Sequence, residues 1–585
     1  MDQEQRKLAE ELFFSGPRTT SFAKLLYFGS FDAARVFPYP EPPAAESSRI
    51  HELLERLDGF LESEVDPDWI DRNAAIPDHV IKGLGKLGMM GLTIPTENGG
   101  LGMSQYAYCR AMEHVAGRCG STALMINAHQ SIGLKALVLY GTEEQKARWL
   151  PPLARGEMLA AFSLTEPNAG SDVASIETEA AYDASRQVYT ITGRKQWTTN
   201  GSIAGVLTVM AKTLVDTPEG PAKKVTAFVV TPDMPGFRVL AAGLEKVGMR
   251  GTKTANLGFD GLEVPAKNIL GPPGQGLRVC LTVLDYGRVT FGATCTGAAK
   301  FLLQRAIEQA RDRHQFGRPL ASFGLVKQKI ANMAALVYAM DAATYLTAGM
   351  IDTSSEDFML EAAILKVFTS DALWSVVYDT MQIFGGRSFF ADRPYERMMR
   401  DARLNMIGEG SNEVMRAFIA GVGMRDLGVQ LEQVLHASRR PLANASLLWQ
   451  FGRQNLGRVR TPVVPVRSSE LRREARMLAV RVRRFGVSIL RVLAKHQEEI
   501  VERQMLLDRI ASSAIALYTA TAVVSKLDRD LSRPEADSET LKKDLLAGRL
   551  YCRQAFAMID RSLAGLFHND DDYVELVSDQ LSGVA

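Results

Sequence analysis

In SSRIHELLERLDGFLESEV the apolar residues fall at positions 50, 53, 54, 57, 60 and 61, a 3.6-residue stripe that predicts an amphipathic helix capped by the preceding serines. Helical texture of this kind runs from about Arg49 to Arg155. It changes at Phe162, where VYTITGRKQWTTNG, GVLTVMAK, KVTAFVVTP and TANLGFDGLEVP set alternating β-branched and aromatic residues between Gly and Pro turns, the pattern of strands. GPPGQGLRV (271–279) returns the chain to helix, and apolar-periodic segments such as QKIANMAALVYAMDAATYL dominate as far as about Leu427. A last block opens Pro- and Arg-rich (SRRPLANAS, VRTPVVPVRSS) and becomes helical again. Prolines 17, 38, 40, 42 and 43 punctuate the leader and predict an extended arm. The expected organisation is an arm (1–48), a helical domain (49–160), a β domain (161–272), a helical bundle (273–428) and a C-terminal helical extension (429–585), a mainly α fold with a central β domain.

With 585 residues and 46% hydrophobic content, such domains can bury full cores. The formal charge of +1, from 68 basic and 67 acidic residues, gives no global pull toward nucleic acid. Five scattered cysteines (Cys109, Cys119, Cys280, Cys295, Cys552) form no C-x-x-C pair and no metal-ligand spacing, which fits a reducing compartment and no metal. MDQEQRKLAEELFF has the character of neither a signal nor a transit peptide, and no run of 18 apolar residues occurs, so the expected location is cytoplasmic or peripheral on the inner face of a membrane. GLGKLG (83–88) matches G-x-G-x-x-G only formally, because it follows the helical IPDHVIK rather than a strand.

Charge is uneven at the C-terminus. Residues 439–495 hold thirteen Arg and one Lys against Glu470 and Glu474, 14 − 2 = +12. Within SELRREARMLAVRVRRFGVSILRVLAK, Leu471, Ala475, Leu478, Val482, Phe485, Ile489 and Val492 form one stripe with arginines around it. Two readings are open: an interfacial helix on an anionic membrane surface, or a stripe packed on the C-terminal helices with solvated arginines. A nucleic-acid surface is not expected, because no reading motif accompanies the basic residues.

Chemistry concentrates in three stretches. FSLTEPNAGSDVASI (162–176) passes through a turn whose exposed amides, with Thr165 and Ser171, suit a phosphate or the polar edge of a flat ring, unless it is only an inter-domain turn. GRKQWTTNG (193–201) offers Trp197 and Thr199 on one side of a predicted strand, an indole to stack and a hydroxyl to donate. A tryptophan in a strand is otherwise core. MIGEGSNEVMR (406–416) sets the carboxylate of Glu409 between two glycines, an expensive choice inside a helix.

Taken in order, LTEPNAGSD, KQWTTNG, RHQFGRPL (313–320), QIFGGR (382–387) and GEGSNE (408–413) resemble the signatures of the acyl-CoA dehydrogenases, over nearly the whole chain. VFPYP (36–40), AHQSIG (128–133) and the block after 430 resemble the very-long-chain subfamily and its complex I assembly paralogue. The resemblance implies that family's fold: an N-terminal helical domain, a middle β-barrel-like domain and a C-terminal four-helix bundle, here with an extra C-terminal helical domain. It also implies FAD, a homodimer, a long- or very-long-chain acyl-CoA substrate and an electron-transfer flavoprotein as acceptor. By the same resemblance Glu409 is the base that takes the substrate α-proton while hydride goes to flavin N5, giving a trans-2,3 double bond.

Cofactor contacts implied in this way fall on Phe162, Leu164, Thr165, Gly170, Ser171, Trp197, Thr198 and Thr199, on Arg313 and Phe316, on Gln382, Ile383, Phe384, Gly385 and Gly386 toward the neighbouring subunit's FAD, and on Ser411, Asn412 and Glu413. Substrate contacts fall on Ser171, Asp285, Arg288, Gly408 and Gly410, with an ion-pair reading open for Asp285 and Arg288. Gly410 would let a thioester lie against the backbone of its own base. A different branch of the family places its base just before the arginine of LDYGRVTFGA, where this chain has Gly287. Three departures stand out. Gly408 replaces the usual aromatic, and Ala123 and Asn127 stand where very-long-chain relatives are expected to carry glycine, which puts cavity depth in question. A respiratory-complex assembly factor with secondary dehydrogenase activity and an acyl-CoA oxidase are the competing functions.

Overall fold

The computed structural model describes residues 21–218, 220–353, 357–438, 460–533 and 538–583. These form two compact units, one built from 41–355 and 368–411, the other from 19–40, 356–367 and 412–585.

In the first unit the Ala44–Glu64 helix buries Ile50, Leu53, Leu54, Leu57 and Leu61, as its stripe predicts. Helix α1 (Gln105–Arg118) starts where Ser104 Oγ accepts the Ala107 amide at 3.1 Å. It leads to α2 (Gly120–Asn127) and a π-helical turn over Ala128–Gly133. The 37-residue α3 (Gly276–Asp312) packs against α1 and against α4 (Gly324–Thr353). α5 (Pro394–Leu404) opens with proline in its first turn, where a missing N–H costs nothing.

Between them lies a sheet of β1 (Leu159–Ser163), β2 (Glu179–Asp183), β3 (Val188–Thr199), β4 (Ala204–Thr217), β5 (Gly220–Val230), β6 (Phe237–Ala241), β7 (Thr254–Pro265) and β8 (Ile269–Leu270). The order is β6-β7-β3-β2-β4-β5-β8, with β1 parallel to β4. On β4, Val206 and Met210 join one apolar cluster while Leu207 and Val209 join another. Period-two side chains thus meet a core on both faces, which is why this strand reads as a nearly unbroken apolar run.

In the second unit the leader is not an extended arm from Ser21 onward. Ser21 caps a helix over Phe22–Tyr27, and Asp32 caps a 3-10 turn over Ala33–Arg35. Phe22, Leu26 and Tyr27 are fully buried, Tyr27 Oη donates to the Ile419 carbonyl at 2.8 Å, and Lys24 pairs with Asp357. The apolar run FAKLLY outweighs the prolines that follow it. Residues 1–20, Pro17 among them, lie outside the described residues.

The basic helix α6 (Arg472–His496) corrects the interfacial reading. Leu471, Ala475, Leu478, Val482, Phe485, Ile489 and Val492 are all buried, packed on α7 (Gln504–Leu531) and α8 (Ser538–Gly565). Arg481 and Arg484 share Asp560 at 2.5 and 2.7 Å. A stripe already committed to a protein core cannot also lie in lipid. The part of the basic block over 439–459 lies outside the described residues. Among the described residues two helices, α4 and α7, are long and apolar enough to cross a membrane, but their apolar windows are 72% and 89% buried, the signature of core helices.

Candidate active site

After α5 ends, Ile407 and Gly408 both return their amides to the Leu404 carbonyl at 2.9 Å, closing a tight turn that presents Glu409. Glu409 (φ 57°) and Gly410 (φ 96°) both have left-handed backbones. That conformation costs a non-glycine residue of order 1 kcal/mol and persists only where neighbours enforce it. One such neighbour is Arg288 on α3, whose Nε donates to the Glu409 carbonyl at 3.4 Å while Nη1 pairs with Asp285 at 2.8 Å. Both partners of that pair are buried, so it is formed as the ion-pair reading expects. The glycine pedestal is therefore a specified turn and not a flexible one.

The Glu409 carboxylate lies against α3 at Gly287, where a Cβ would stand 2.8 Å from Glu409 Oε2. Glycine at 287 is thus what makes room for the Glu409 carboxylate. From α2, Asn127 Nδ2 donates to Glu409 Oε1 at 3.4 Å. Asn127 Oδ1 in turn accepts from Thr290 Oγ1 at 2.6 Å, and Ser131 Oγ lies 2.7 Å from Thr290 Oγ1 and 3.0 Å from Tyr108 Oη. Beyond Asn127, among Ala123, Phe291, Leu373 and Met398, is a cavity of about 40 Å³.

A second cluster joins the TEP turn to β3. The Gln196 amide donates to the Thr165 carbonyl at 2.7 Å, and Lys195 Nζ reaches the Leu164 carbonyl at 3.0 Å and Glu166 Oε1 at 2.6 Å. Glu166 also accepts the amides of Glu177 and Thr178. Burial pulls the Lys195 ammonium down to about 8. Burial works to raise Glu166, but Lys195 and the donors around it outweigh this and hold its carboxyl below the usual range. Both are ionised at neutral pH. This clip sets Trp197 beside the turn, with φ 58° at a β-bulge and its indole 62% exposed. Trp197 is thus not a core residue.

The bulge also breaks strict alternation. Thr198 turns inward, its hydroxyl 2.9 Å from Ser163 Oγ, while Thr199 is partly exposed. The Phe162 ring lies in the core and the half-buried Leu164 packs against that core. Gly170 and Ser171 are exposed on the turn. Arg313 and Phe316 stand elsewhere, on a hairpin of β9 (His314–Gln315) and β10 (Arg318–Pro319). Its two-residue turn has positive φ at both Phe316 and Gly317, the form that matches strand twist, and projects a ring that is 93% exposed. Gln382, Gly385 and Gly386 are exposed, Ile383 is buried, and Phe384 stacks on Tyr395 at 4.1 Å. In the second unit Lys366 Nζ donates to Asn412 Oδ1 at 2.8 Å, and Glu413 is exposed. Ser411 is half-buried.

Family profiles match most of the chain: "Acyl-CoA dehydrogenase, N-terminal domain" at residues 47–157, "middle domain" at 161–262, "C-terminal domain" at 274–424, and "ACAD9/ACADV, C-terminal domain" at 469–581. The chain belongs to the acyl-CoA dehydrogenase family. The very long-chain specific acyl-CoA dehydrogenase of Homo sapiens is 36% identical over 558 residues, 93% of this chain and 84% of that one. A probable acyl-CoA dehydrogenase of Mycobacterium tuberculosis is 34% identical over 603 aligned positions, covering 100% and 91%. A solved acyl-CoA dehydrogenase complexed with FAD from Bacillus anthracis superposes with a TM-score of 0.77 at 26% identity, covering 96% and 95%.

As a member of the acyl-CoA dehydrogenase family the chain is an FAD-dependent oxidoreductase acting on CH–CH bonds. Its residues fit the cofactor: an exposed indole beside a backbone turn suits a planar ring, and an exposed arginine at 313 suits a pyrophosphate. Sequence reasoning missed the Glu166–Lys195 clip and the Asn127–Thr290 relay. Lys195 carried a signal, since it follows Tyr189 and Ile191 in the inward register of β3, where a charge needs a buried partner.

Proposed function

We propose that this chain dehydrogenates a fatty acyl-CoA of long or very long chain, with Glu409 as the base. The observation carrying this reading is a carboxylate held in a left-handed turn, its Oε2 against a helix glycine and its backbone tied to a buried arginine. In this reading the α C–H bond breaks and its proton moves to the Glu409 carboxylate. The Glu409 amide polarises the thioester carbonyl, and Gly410 permits the close approach. Bound FAD supplies the acceptor for the hydride that leaves the β-carbon, so the product carries a trans-2,3 double bond. Thr165, Trp197 and Thr199 orient that cofactor, Arg313 and Phe316 hold its phosphate end, and residues 382–386 reach the FAD of a second copy in a homodimer. An electron-transfer flavoprotein takes the electrons.

Chain length has a second reading. A 40 Å³ cavity holds about three waters, far less than a palmitoyl tail, and Asn127 above it is tied at both ends. This favours an acyl chain that does not run past Asn127. Association with anionic lipid, in this proposal, uses the exposed Arg472, Arg473, Arg476 and Lys495 and leaves the apolar stripe in place.

Anaerobic titration with C4 to C20 acyl-CoAs tests cofactor, reaction and chain length together. Glu409→Gln should keep the yellow flavin and lose bleaching; a variant that bleaches at the normal rate removes Glu409 as base. Bound FAD that no acyl-CoA bleaches would favour a respiratory-complex assembly role, and stoichiometric peroxide in air would favour an oxidase.

A further inference from the structure

Asn127 is fully buried on α2, yet its side chain is not idle polar filling. Thr290 Oγ1 donates to Oδ1 at 2.6 Å, which fixes the orientation of the amide, and Nδ2 is thereby aimed at Glu409 Oε1. The Thr290 hydroxyl has one proton: the Tyr286 and Gly287 carbonyls, each 3.1 Å away, compete for it less closely than Asn127 Oδ1, and its oxygen can accept from Ser131 Oγ, 2.7 Å away and itself 3.0 Å from Tyr108 Oη. A wrongly turned amide would set its oxygen against the carboxylate, so the relay selects one of two orientations. Opposite it, the missing side chain of Gly287 leaves Oε2 its place. The carboxylate is thus confined from two helices while its backbone is confined by the turn.

We propose that Asn127 is a positioning residue for the base: its amide, oriented by Thr290, fixes the direction of the Glu409 carboxylate and favours its ionised form. The inference rests on the reading of Glu409 as base. Charged and titratable groups facing Glu409 include, among the described residues, Arg288 and Asp285 from α3, which pair with each other, and Tyr108 from α1. Burial keeps the Tyr108 phenol neutral, well above its ordinary range. Asn127 is the neutral donor from α2, and a donor to the charged form of a carboxylate lowers its pKa. At 3.4 Å the bond is long, so the expected effect is a shift of about one pH unit and not several.

The test uses the FAD-loaded full chain. In Asn127→Ala the acid limb of kcat/KM should move up by about one pH unit, with kcat falling about tenfold and KM nearly unchanged. Thr290→Val, which frees the amide to flip, should shift the limb by less. Asn127→Asp sets a like charge beside the base and should move the limb further up, with rate recovered at high pH. These last two variants keep the question answerable if the alanine variant folds poorly. Flavin content and melting temperature report folding separately. An acid limb that stays in place in all three variants, whatever happens to melting temperature, overturns the proposal and leaves Asn127 a structural residue. If Glu409→Gln itself turns over normally, the base reading fails and this one falls with it.

Discussion

Replacing Gly287 by alanine tests the site geometry with a single methyl group. A Cβ there would stand 2.8 Å from Glu409 Oε2 and 2.8 Å from Ile132 Cγ2, closer than side chains approach in folded proteins. Something must move by about half an ångström: Glu409 Oε2 ends a long side chain and can swing away, whereas Ile132 Cγ2 is one bond from Cβ on a β-branched residue and yields less. The fold should hold, because alanine in a helix interior gains about 0.8 to 1 kcal/mol over glycine, which offsets the local crowding. The carboxylate, however, is the group displaced. Misplacing a catalytic group by about 1 Å costs on the order of 10²-fold, so a shift of half that should lower the rate of anaerobic flavin bleaching roughly tenfold. The expected result is a kcat loss with melting temperature, flavin content and KM near those of the parent. Parental kcat in a well-folded Gly287→Ala protein would refute the placement of Glu409 against α3. A collapse of melting temperature would show that Ile132 Cγ2, and not the carboxylate, is the contact that cannot yield.

Glu166→Gln or Lys195→Met alone should each cost about 3–5 kcal/mol, because each strands the other member of a buried pair. The double replacement should cost less than either, and chemical denaturation of all three would expose a missing coupling. Gly408→Tyr should fold, since a Cβ there meets Leu404 O only at 3.6 Å, and should change the acyl-chain profile; an identical profile removes position 408 from the pocket wall. His129 is fully buried, with Nε2 on the Met90 carbonyl at 3.0 Å and Nδ1 accepting the Ala160 amide at 2.8 Å, and burial pulls it down to about 4. Between pH 6.5 and 4 the unfolded chain binds a proton that the folded chain refuses, so stability falls on acidification, by about 3 kcal/mol from this residue. His129→Asn should flatten that part of the pH–stability curve, and an unchanged slope would show that His129 takes no part. Phe485→Ala on α6 should cost about 3–5 kcal/mol of unfolding free energy, whereas a lipid-facing position would leave it nearly untouched.

Periodicity made the Ala44–Glu64 helix and strands β3, β4, β5 and β7 readable, because a buried face imposes its spacing on the chain. It could not say what covers a face. The stripe on α6 would look the same against lipid or against α7 and α8, and only the fold distinguishes them. In the leader, counting prolines hid a six-residue apolar helix. At the site Glu409 was legible through its motif, but Asn127 and Thr290 are 163 residues apart, and no local pattern links an amide on one helix to a hydroxyl on another. The glycines around Glu409 suggested freedom. The structure shows a turn held by α5 and α3.

If FAD lies over Trp197 as proposed, the exposed indole makes cofactor occupancy visible by light. A solvent-facing tryptophan emits at long wavelength and is quenched when an acceptor ring covers it, whereas buried Trp149 and the partly exposed Trp69 and Trp374 give a background that a Trp197→Phe control subtracts. Loss of flavin on dilution, heating or mutation could therefore be timed in the unlabelled protein, and the half-life of the loaded state becomes a property measured in a cuvette.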